Sequence, residues 1–303
     1  MKKDLLKMSD LDKDELLELI ELAQRLKYEK QHGIAHELLK GKTLGMIFEK
    51  SSTRTRVSFE AGIYQLGGLG LFLSSKDTQL GRGEPIRDTA RVLSRYVDGI
   101  MIRTFGQEIV EELAKYASVP VINALTDYAH PCQVLADLVT IKEHKGGFEG
   151  RKMCYIGDGN NMANSLIVGG LLSGMDVAVA TPSTYRPHPE VLRFAENYGN
   201  KFTLTDNIFE AAEDADALFT DVWSSMGMEA EIEKRRQSFA GYQINAELMK
   251  KAKKDAMVQH CLPAHRGEEI TDEVFEAHAV EIFDEAENRL HAQKAVMATL
   301  MTR

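Results

Sequence analysis

The sequence has few of the features that identify a secreted, zinc-binding or membrane-spanning protein. Only three of its 303 residues are cysteines, namely Cys132, Cys154 and Cys261. They are far apart and odd in number, which argues against a disulfide framework and for a reducing compartment. No CxxC or CxxH spacing indicates a zinc site. No apolar run approaches the ~18 residues that a membrane helix needs.

Basic residues are also in the minority. The chain has 37 Lys and Arg against 46 Asp and Glu, a formal net charge of −9, whereas nucleic-acid binders are usually basic. Residues 1–15 lack the apolar core of a signal peptide and are too acidic for a transit peptide. We therefore expect a cytoplasmic protein with no nucleic-acid and no membrane partner. A local group of arginines can still bind a small anion.

Short apolar runs alternate with helical patterns along nearly the whole chain. The predicted strands cover residues 43–48, 69–73, 99–102, 119–124, 152–157, 176–181, 201–205, 217–220 and 256–260. The clearest helical patterns cover residues 12–30, 53–66, 85–97 and 107–117. Strand–helix alternation is typical of parallel sheets with helices on both faces. We therefore predict an α/β fold of two doubly wound parallel-sheet domains.

The polar, glycine-rich stretch 145–151 interrupts this alternation and predicts a domain boundary. The first domain would then cover residues 1–145 and the second residues 146–285. A last helical pattern, 286–303, is expected to cross back and pack on the first domain.

An arginine-rich segment follows the first predicted strand. Ser52, Thr53 and Thr55 provide hydroxyl donors. Arg54 adds a guanidinium whose paired N–H groups match a phosphate. The segment opens a predicted helix, and the backbone N–H groups at a helix N-terminus attract anions. Ligands bind at the carboxyl ends of strands in such sheets, so the segment predicts a phosphate site rather than a capped helix with solvated arginines.

Four motifs, in the expected order, resemble the aspartate/ornithine carbamoyltransferase family. They are SSTRTR at 51–56, HPCQ at 130–133, DVWSSMG at 221–227 and HCLP at 260–263. The resemblance covers essentially the whole chain. It implies an enzyme that moves the carbamoyl group of carbamoyl phosphate to the δ-amine of ornithine, with no cofactor and no metal.

The resemblance assigns the first domain to carbamoyl phosphate. Arg103 and His130, with Thr55, would bind the carbonyl oxygen on which charge develops, as donors of an oxyanion hole do. Gln133 would bind the NH2 group, and Arg289 would turn inward to the same ligand. The implied catalytic residues are Arg103, His130 and Cys261. The implied carbamoyl-phosphate contacts are Ser52, Thr53, Arg54, Thr55, Gln79, Arg103, His130, Pro131, Cys132, Gln133, Cys261, Leu262 and Arg289.

The resemblance assigns the second domain to ornithine. Asn161 would hold the α-amino or carboxylate end, and Asp221 would supply the counter-charge of the α-ammonium group. Ser225 and Met226 would line the ligand, and the sulfur of Cys261 would lie beside the δ-amine. The DVWSSMG loop offers no cationic group for the β-carboxylate of aspartate. Putrescine, which lacks an α-ammonium group, would not need Asp221.

The polar loop 74–85 is implied to act between subunits. By resemblance it reaches into the neighbouring subunit's site, where Gln79 touches the phosphate. The active unit would then be a homotrimer or a multiple of trimers.

Ser224 stands where related chains can carry an aliphatic residue. Aspartate, putrescine or a modified ornithine therefore stays open as the acceptor.

The sequence gives less support to functions outside this family. Gly157 and Gly159 begin a dinucleotide-like pattern, but Met162 stands where a third glycine is required. The acidic residue expected ~20 positions further on is also missing, so we reject nicotinamide binding. A metal hydrolase would need a spaced His/Asp/Glu ligand set, which the sequence lacks. A phosphate- or amino-acid-binding protein without turnover remains the alternative outside enzymes.

Overall fold

The structure is a computed structural model that describes residues 3–75, 83–224 and 231–302. Strands and helices alternate through these residues. The strands are β1 (Thr43–Phe48), β2 (Leu69–Ser74), β3 (Gly99–Arg103), β4 (Val121–Leu125), β5 (Lys152–Ile156), β6 (Asp176–Ala180), β7 (Phe202–Thr205), β8 (Ala217–Thr220) and β9 (Met257–His260). The helices are α1 (Lys13–Gln31), α2 (Thr53–Gln65), α3 (Ile86–Leu93), α4 (Gln107–Tyr116), α5 (Pro131–Lys145), α6 (Asn161–Ser173), α7 (Pro189–Glu196), α8 (Ile208–Ala212), α9 (Ile232–Ser238), α10 (Ala246–Met249), α11 (Asp272–Ala277) and α12 (Ala279–Met301).

The chain divides into two compact units. Residues 1–139 and 287–303 form the first unit, and residues 140–286 form the second. Within the described part of each unit the named strands form one parallel sheet. The prediction of an α/β fold with two doubly wound parallel sheets is therefore confirmed.

The sheet of the first unit has the strand order β2-β1-β3-β4. Chain order reverses between β1 and β3, which makes this gap the switch point where doubly wound sheets bind ligands. The register pairs Phe48 with Arg103, so these two strands end level with each other. The segments that follow β1 and β3 therefore leave the same edge of the sheet side by side.

The sheet of the second unit has the order β7-β6-β5-β8-β9. Its switch point lies between β5 and β8, which pair in parallel from Met153 with Ala217 to Tyr155 with Phe219. The apolar core under this sheet includes Ile156, Leu218 and Val258. The turns that follow β5 and β8 are thus held next to each other by a buried pair of strands.

The last helix packs on the first unit, as predicted, but it begins earlier than the predicted residue 286. It runs from Ala279, and its residues from Glu287 onward belong to the first unit. Two glycines permit its close approach there. A Cβ atom at Gly62 would lie 3.0 Å from Met297 Cε, and one at Gly99 would lie 3.0 Å from Met301 Cγ.

Local signals set other helix boundaries. Asp12 caps α1 in a reciprocal capping box with Glu15, and the Asp12-x-x-Glu15 spacing at the start of the predicted helix 12–30 indicates this cap. Helix α3 ends at Leu93, short of the predicted residue 97, where the chain tightens into a turn with Tyr96 N–H donating to Leu93 C=O. Over 3–75, 83–224 and 231–302, no helix is both long and apolar enough to cross a membrane.

Candidate functional site

The start of α2 is built around two hydroxyl groups. Ser52 is the N-cap residue, and its Oγ accepts a hydrogen bond from Thr55 N–H at 3.2 Å. The same Oγ donates to Thr55 Oγ1 at 3.1 Å. This cap fixes the side chain of Thr55, which is buried, at the carboxyl end of β1. Thr53 and Arg54 occupy the exposed first turn of the helix.

Arg289 reaches this helix start from α12. It is only 3% exposed, and its Nη2 donates to Thr55 Oγ1 at 3.2 Å. Its Nη1 donates to Gln133 Oε1 at 2.7 Å, and Gln133 Nε2 donates to Asp137 Oδ1 at 2.8 Å. The guanidinium of Arg289 is therefore held inside the first unit by a chain of buried polar groups.

The amide of Gln133 is already engaged at both ends. The sequence predicts that Gln133 binds the NH2 group of carbamoyl phosphate, whereas in the structure its oxygen accepts from Arg289 and its nitrogen donates to Asp137. Gln293 supports the same guanidinium. With its amide oriented to donate to Ser58 Oγ at 2.6 Å, its oxygen accepts from Arg289 Nη2 at 2.9 Å.

The hydroxyl of Thr55 is oriented by its two donors. Its oxygen accepts from Ser52 Oγ and from Arg289 Nη2. A hydroxyl oxygen has two lone pairs and one proton. Because both lone pairs are used, the proton points away from both donors and can be given to a substrate oxygen.

His130 lies in a strongly positive field at the start of α5. The residue is 5% exposed. Burial lowers the pKa of its imidazole well below the usual value, and the positive charges of Arg289, Arg103 and Arg54 lower it further. His130 is therefore neutral at pH 7 and carries one ring N–H. The charges of the three arginines thus act on one buried imidazole.

Two other predicted residues of the first unit, Pro131 and Cys132, directly follow His130 in the chain. Pro131 is the first residue of α5. Cys132 is fully buried, its Sγ donates to Asn123 C=O at 3.5 Å, and burial raises the pKa of its thiol to about 12. Its backbone is thus the part left for a substrate contact. Gln79 lies outside the described residues.

In the second unit, Asp221 is the centre of a polar cluster at the switch point. Its Oδ2 accepts from Asn160 Nδ2 at 3.0 Å, and its Oδ1 accepts from Cys261 Sγ at 3.2 Å. Val222 N–H also donates to Oδ1, at 2.8 Å. Asp221 is 7% exposed. The structure thus brings together the predicted residues Asp221 and Cys261, so one carboxylate faces the thiol.

Asn160 and Asn161 occupy different positions at the start of α6. Asn160 is the N-cap, and its Oδ1 accepts from Met162 N–H at 2.9 Å. Asn161 is the first helical residue and is half-buried. Leu262 follows Cys261 with a positive φ of 57°. Ser225 and Met226, both predicted to line ornithine, lie outside the described residues.

A buried ion pair supports the same turn. Arg235 of α9 donates to Asp158 through Nη2 and to Trp223 C=O through Nε. Its guanidinium also lies 4.7 Å from the ring centre of Tyr185. Burial raises the pKa of Asp158 to about 6, although Arg235 favours its charged form. The pair ties the turn after β5 to the start of the predicted ornithine loop.

The two glycines of the dinucleotide-like pattern have structural reasons of their own. Gly157 has a φ of 146°, which residues with a Cβ atom rarely adopt. A Cβ atom at Gly159 would lie 2.4 Å from the backbone at Arg186 and Pro187. Gly159 N–H also donates to Tyr185 C=O at 2.9 Å. Close backbone packing therefore accounts for the pattern without a pyrophosphate.

Among the described residues, one group of side chains could hold a metal ion. His265, Glu268 and Glu269 each offer a ligand atom within 4.8 Å of the others. However, Glu268 Oε1 already accepts from Arg236 Nη2 at 2.6 Å and Nε at 3.0 Å. The guanidinium neutralises this carboxylate, so the group does not have the donor set of a built cation site.

Several supporting residues were missed at the level of the sequence. Asp137 and Gln293 each stand four positions after a predicted residue on the same helix, and this i,i+4 spacing could have identified them. Asn160 could have been recognised as a helix cap. Arg235 carries no local signal, because only the tertiary fold brings it to Asp158.

Fold and site together define an α/β protein with a cationic switch point in one unit and an acidic one in the other. Comparisons with known proteins agree with this class. The family description "Aspartate/ornithine carbamoyltransferase, carbamoyl-P binding domain" matches residues 3–143, and its "Asp/Orn binding domain" matches residues 149–300. The chain belongs to the aspartate/ornithine carbamoyltransferase family.

Individual relatives are similar over nearly their whole length. The chain is 59% identical to an ornithine carbamoyltransferase of Oceanobacillus iheyensis, over 99% of this chain and 94% of the relative. It is similar to the solved ornithine carbamoyltransferase of Pyrococcus furiosus, with a TM-score of 0.93 and 53% identity over 98% of this chain and 96% of that one. The anabolic ornithine carbamoyltransferase of Campylobacter jejuni gives a TM-score of 0.93 at 45% identity, over 99% of both chains.

Proposed function

We propose that this protein transfers the carbamoyl group of carbamoyl phosphate to the δ-amine of L-ornithine, giving L-citrulline and phosphate. The observation that carries the proposal is the convergence of Arg54, Arg103 and Arg289 on the buried imidazole of His130. The family match and the similarity to ornithine carbamoyltransferases along the whole chain support the same reaction.

The first unit has the charge that a phosphorylated donor requires. Three guanidinium groups whose charges act on the one buried imidazole of His130 suit a dianionic phosphate, because arginine binds phosphate oxygens through paired N–H groups. The backbone N–H groups at the start of α2 add to this attraction. We assign Ser52, Thr53 and Arg54 to the phosphate group. We assign Thr55, His130 and Arg103 to the carbonyl oxygen.

The reaction is an addition–elimination at the carbonyl carbon, with no covalent intermediate on the enzyme. The neutral δ-amine attacks the carbonyl carbon, so that a C–N bond forms and the C=O π electrons move onto oxygen. Thr55 O–H, the N–H of His130 and the guanidinium of Arg103 would stabilise that oxyanion. The C–O bond to phosphate then breaks, and phosphate leaves with the electron pair and takes the surplus proton from nitrogen. The role of the protein is positioning and electrostatic stabilisation.

The second unit would bind the acceptor. Asp221, held by Asn160 and next to Cys261, supplies a carboxylate for an ammonium group of ornithine. Asn161 is half-buried at the start of α6, directly after Asn160, and remains the proposed partner of the α-amino or carboxylate end. Aspartate would bring a second carboxylate toward Asp221, which favours ornithine as the acceptor.

The test is product formation from carbamoyl phosphate with ornithine, putrescine and aspartate offered separately. Citrulline with ornithine alone is the expected result. Turnover with another acceptor would retain the carbamoyl-phosphate site and refute the assignment of the second unit. A folded protein that binds carbamoyl phosphate and turns over none of the acceptors would instead be a binding protein.

We also propose that the active form is a homotrimer or a multiple of trimers. Strand β2 is an edge strand with exposed apolar side chains, among them Leu69 and Leu71, and Tyr64 on α2 is 79% exposed. Exposed apolar edges of this kind are usually covered by another chain. Analytical ultracentrifugation of the wild type and of a Leu71→Lys variant tests this, since the charge should dissociate the assembly.

We propose the cytoplasm as its compartment. Cys132, Cys154 and Cys261 are all free thiols in the structure, as is typical of a reducing environment. Fractionation of the expressing cells followed by activity measurement tests the proposal. Recovery of the activity in a secreted fraction would contradict it.

A further inference from the structure

The end of β9 carries a histidine that the proposed reaction does not use. His260 is the last residue of the strand and is 1% exposed. Its Nδ1 lies 2.9 Å from Leu262 N, and its Nε2 lies 3.0 Å from Oε1 of the fully buried Glu269. Both ring nitrogen atoms of His260 therefore have hydrogen-bonding partners. The next residue in the chain is Cys261.

These contacts fix the protonation state of the ring. A backbone N–H can only donate, so Nδ1 of His260 must accept from Leu262 and carries no proton. The single proton is then on Nε2, which donates it to Glu269 Oε1. The same oxygen accepts from His265 N–H at 2.6 Å. Glu269 thereby selects the tautomer that leaves Nδ1 as an acceptor.

The hydrogen bond that Nδ1 of His260 accepts constrains the backbone of the next two residues, Cys261 and Leu262. Leu262 has a φ of 57°, a left-handed conformation that residues with a Cβ atom adopt only when their surroundings impose it. The hydrogen bond from its N–H to His260 closes the turn across Cys261. Within this turn the Cys261 Sγ donates to Asp221 Oδ1 at 3.2 Å.

We propose that His260 is a positioning residue, which holds the Cys261 thiol against Asp221 through the Leu262 amide and so shapes the site of the acceptor amine. Glu269 serves this arrangement by fixing the tautomer of the ring. The kinetic part of the proposal rests on the proposed function, whereas the position of the thiol does not.

A matched pair of variants separates the acceptor from the bulk of the ring. Asn and Leu have similar shapes, but only an Asn side chain can accept a hydrogen bond from the N–H two residues further on. We would introduce His260→Asn and His260→Leu in a Glu269→Gln background, so that no buried carboxylate loses its donor. Glu269→Gln alone is the reference, and thermal unfolding checks that all three variants fold.

The first measurement is the alkylation rate of Cys261 by iodoacetamide without substrates. Peptide mass spectrometry resolves it from Cys132 and Cys154, which are buried. A neighbouring carboxylate disfavours the reactive thiolate, so releasing the thiol from Asp221 should speed alkylation by about fivefold or more. We expect this in the His260→Leu variant, with the His260→Asn variant near the reference.

The second measurement is the KM for ornithine and for carbamoyl phosphate. The His260→Leu variant should raise the KM for ornithine by about tenfold and leave that for carbamoyl phosphate unchanged. Equal alkylation rates in the two variants, or equal values of the ornithine KM, would overturn the proposal. A wild type that makes no citrulline would refute the proposed function alone, because the alkylation rates would still decide the position of the thiol.

Discussion

Replacing Thr55 by valine should reduce catalysis far more than it reduces folding stability. Valine keeps the shape of threonine and removes its hydroxyl group. The structure assigns that hydroxyl two acceptor roles, toward Ser52 and Arg289, and leaves its proton for the substrate. The substitution therefore removes one donor from the carbonyl oxygen without removing any of the three arginines.

The two effects have different sizes. Loss of one oxyanion donor typically costs ~3 kcal/mol in the activation barrier, or about 10²–10³ in kcat. In the folded protein, Ser52 Oγ is half-buried and can turn to water, so its loss is small. Arg289 Nη2 is buried and loses an acceptor, which costs ~1–3 kcal/mol, less where Gln293 compensates. We expect a stability loss of about 2 kcal/mol or less.

The assay is steady-state citrulline formation at saturating ornithine, together with urea unfolding of the same samples. Thr55→Ser is the matched control, because it keeps the hydroxyl and should stay close to the wild-type kcat. A valine variant within about threefold of the wild-type kcat would show that Thr55 is only a structural partner of Arg289. Equal losses in the serine and valine variants would show that the hydroxyl group alone does not explain the effect, because serine retains it.

Three further predictions follow from local geometry. Gly159→Ala should lower the free energy of unfolding in urea by ~1–3 kcal/mol through overpacking, whereas Gly147→Ala, with no atom within 4 Å, should not. Burial lowers the pKa of His291 to about 3, below its ordinary 6.5, so the unfolded chain binds this proton first and stability falls as pH drops below 6.5. Between about pH 7.5 and about pH 5, the free energy of unfolding in urea should fall by ~2 kcal/mol more for the wild type than for the His291→Gln variant. An equal decrease in the two proteins would contradict this prediction. Asp158→Asn should raise the KM for ornithine about tenfold in steady-state assays and leave that for carbamoyl phosphate unchanged, because it weakens the hold of Arg235 on the ornithine loop.

Much of the fold could be predicted because it rests on local patterns. Apolar runs and helical spacing placed every named strand within two residues of its observed start, and the capping box at Asp12 marked the start of α1. The early start of α12 at Ala279 could not be predicted in the same way. The first turns of α12 contain both charged and apolar residues, and no capping residue in the sequence distinguishes the start of this helix from nearby loops.

The candidate site divides along the same line. Residues at the ends of strands or directly after them, such as Arg103 and Asp221, could be proposed because the topology of parallel sheets brings those strand ends together. The buried links between elements could not. The bond from Arg289 to Gln133 spans 156 positions, and that from Arg235 to Asp158 spans 77. Such contacts depend on side-chain packing, which leaves no periodic signal in the sequence.

Two buried side chains report fields of opposite sign at the two switch points. Three arginines add to burial in lowering the pKa of His130, so the field there is positive. Burial raises the pKa of Tyr155 well above its usual value, and the charges of Asp221 and Asp158 raise it further, so the field there is negative. The net charge of −9 hides this division. A phosphate dianion suits the first field, and an ammonium group suits the second.

The negative field attracts ornithine but also favours the protonated form of its amine, which cannot attack. An amine with a pKa of ~10.4 is neutral in only about one molecule in 2,500 at pH 7. If deprotonation is not completed by a base in the protein, log kcat/KM for ornithine should rise with pH with a slope of about +1 from neutral into the alkaline range. Asp221→Asn should raise the KM for ornithine and leave that slope unchanged. A flat profile would mean that a group in the site removes the ammonium proton before attack, whereas phosphate would still take the second proton after it.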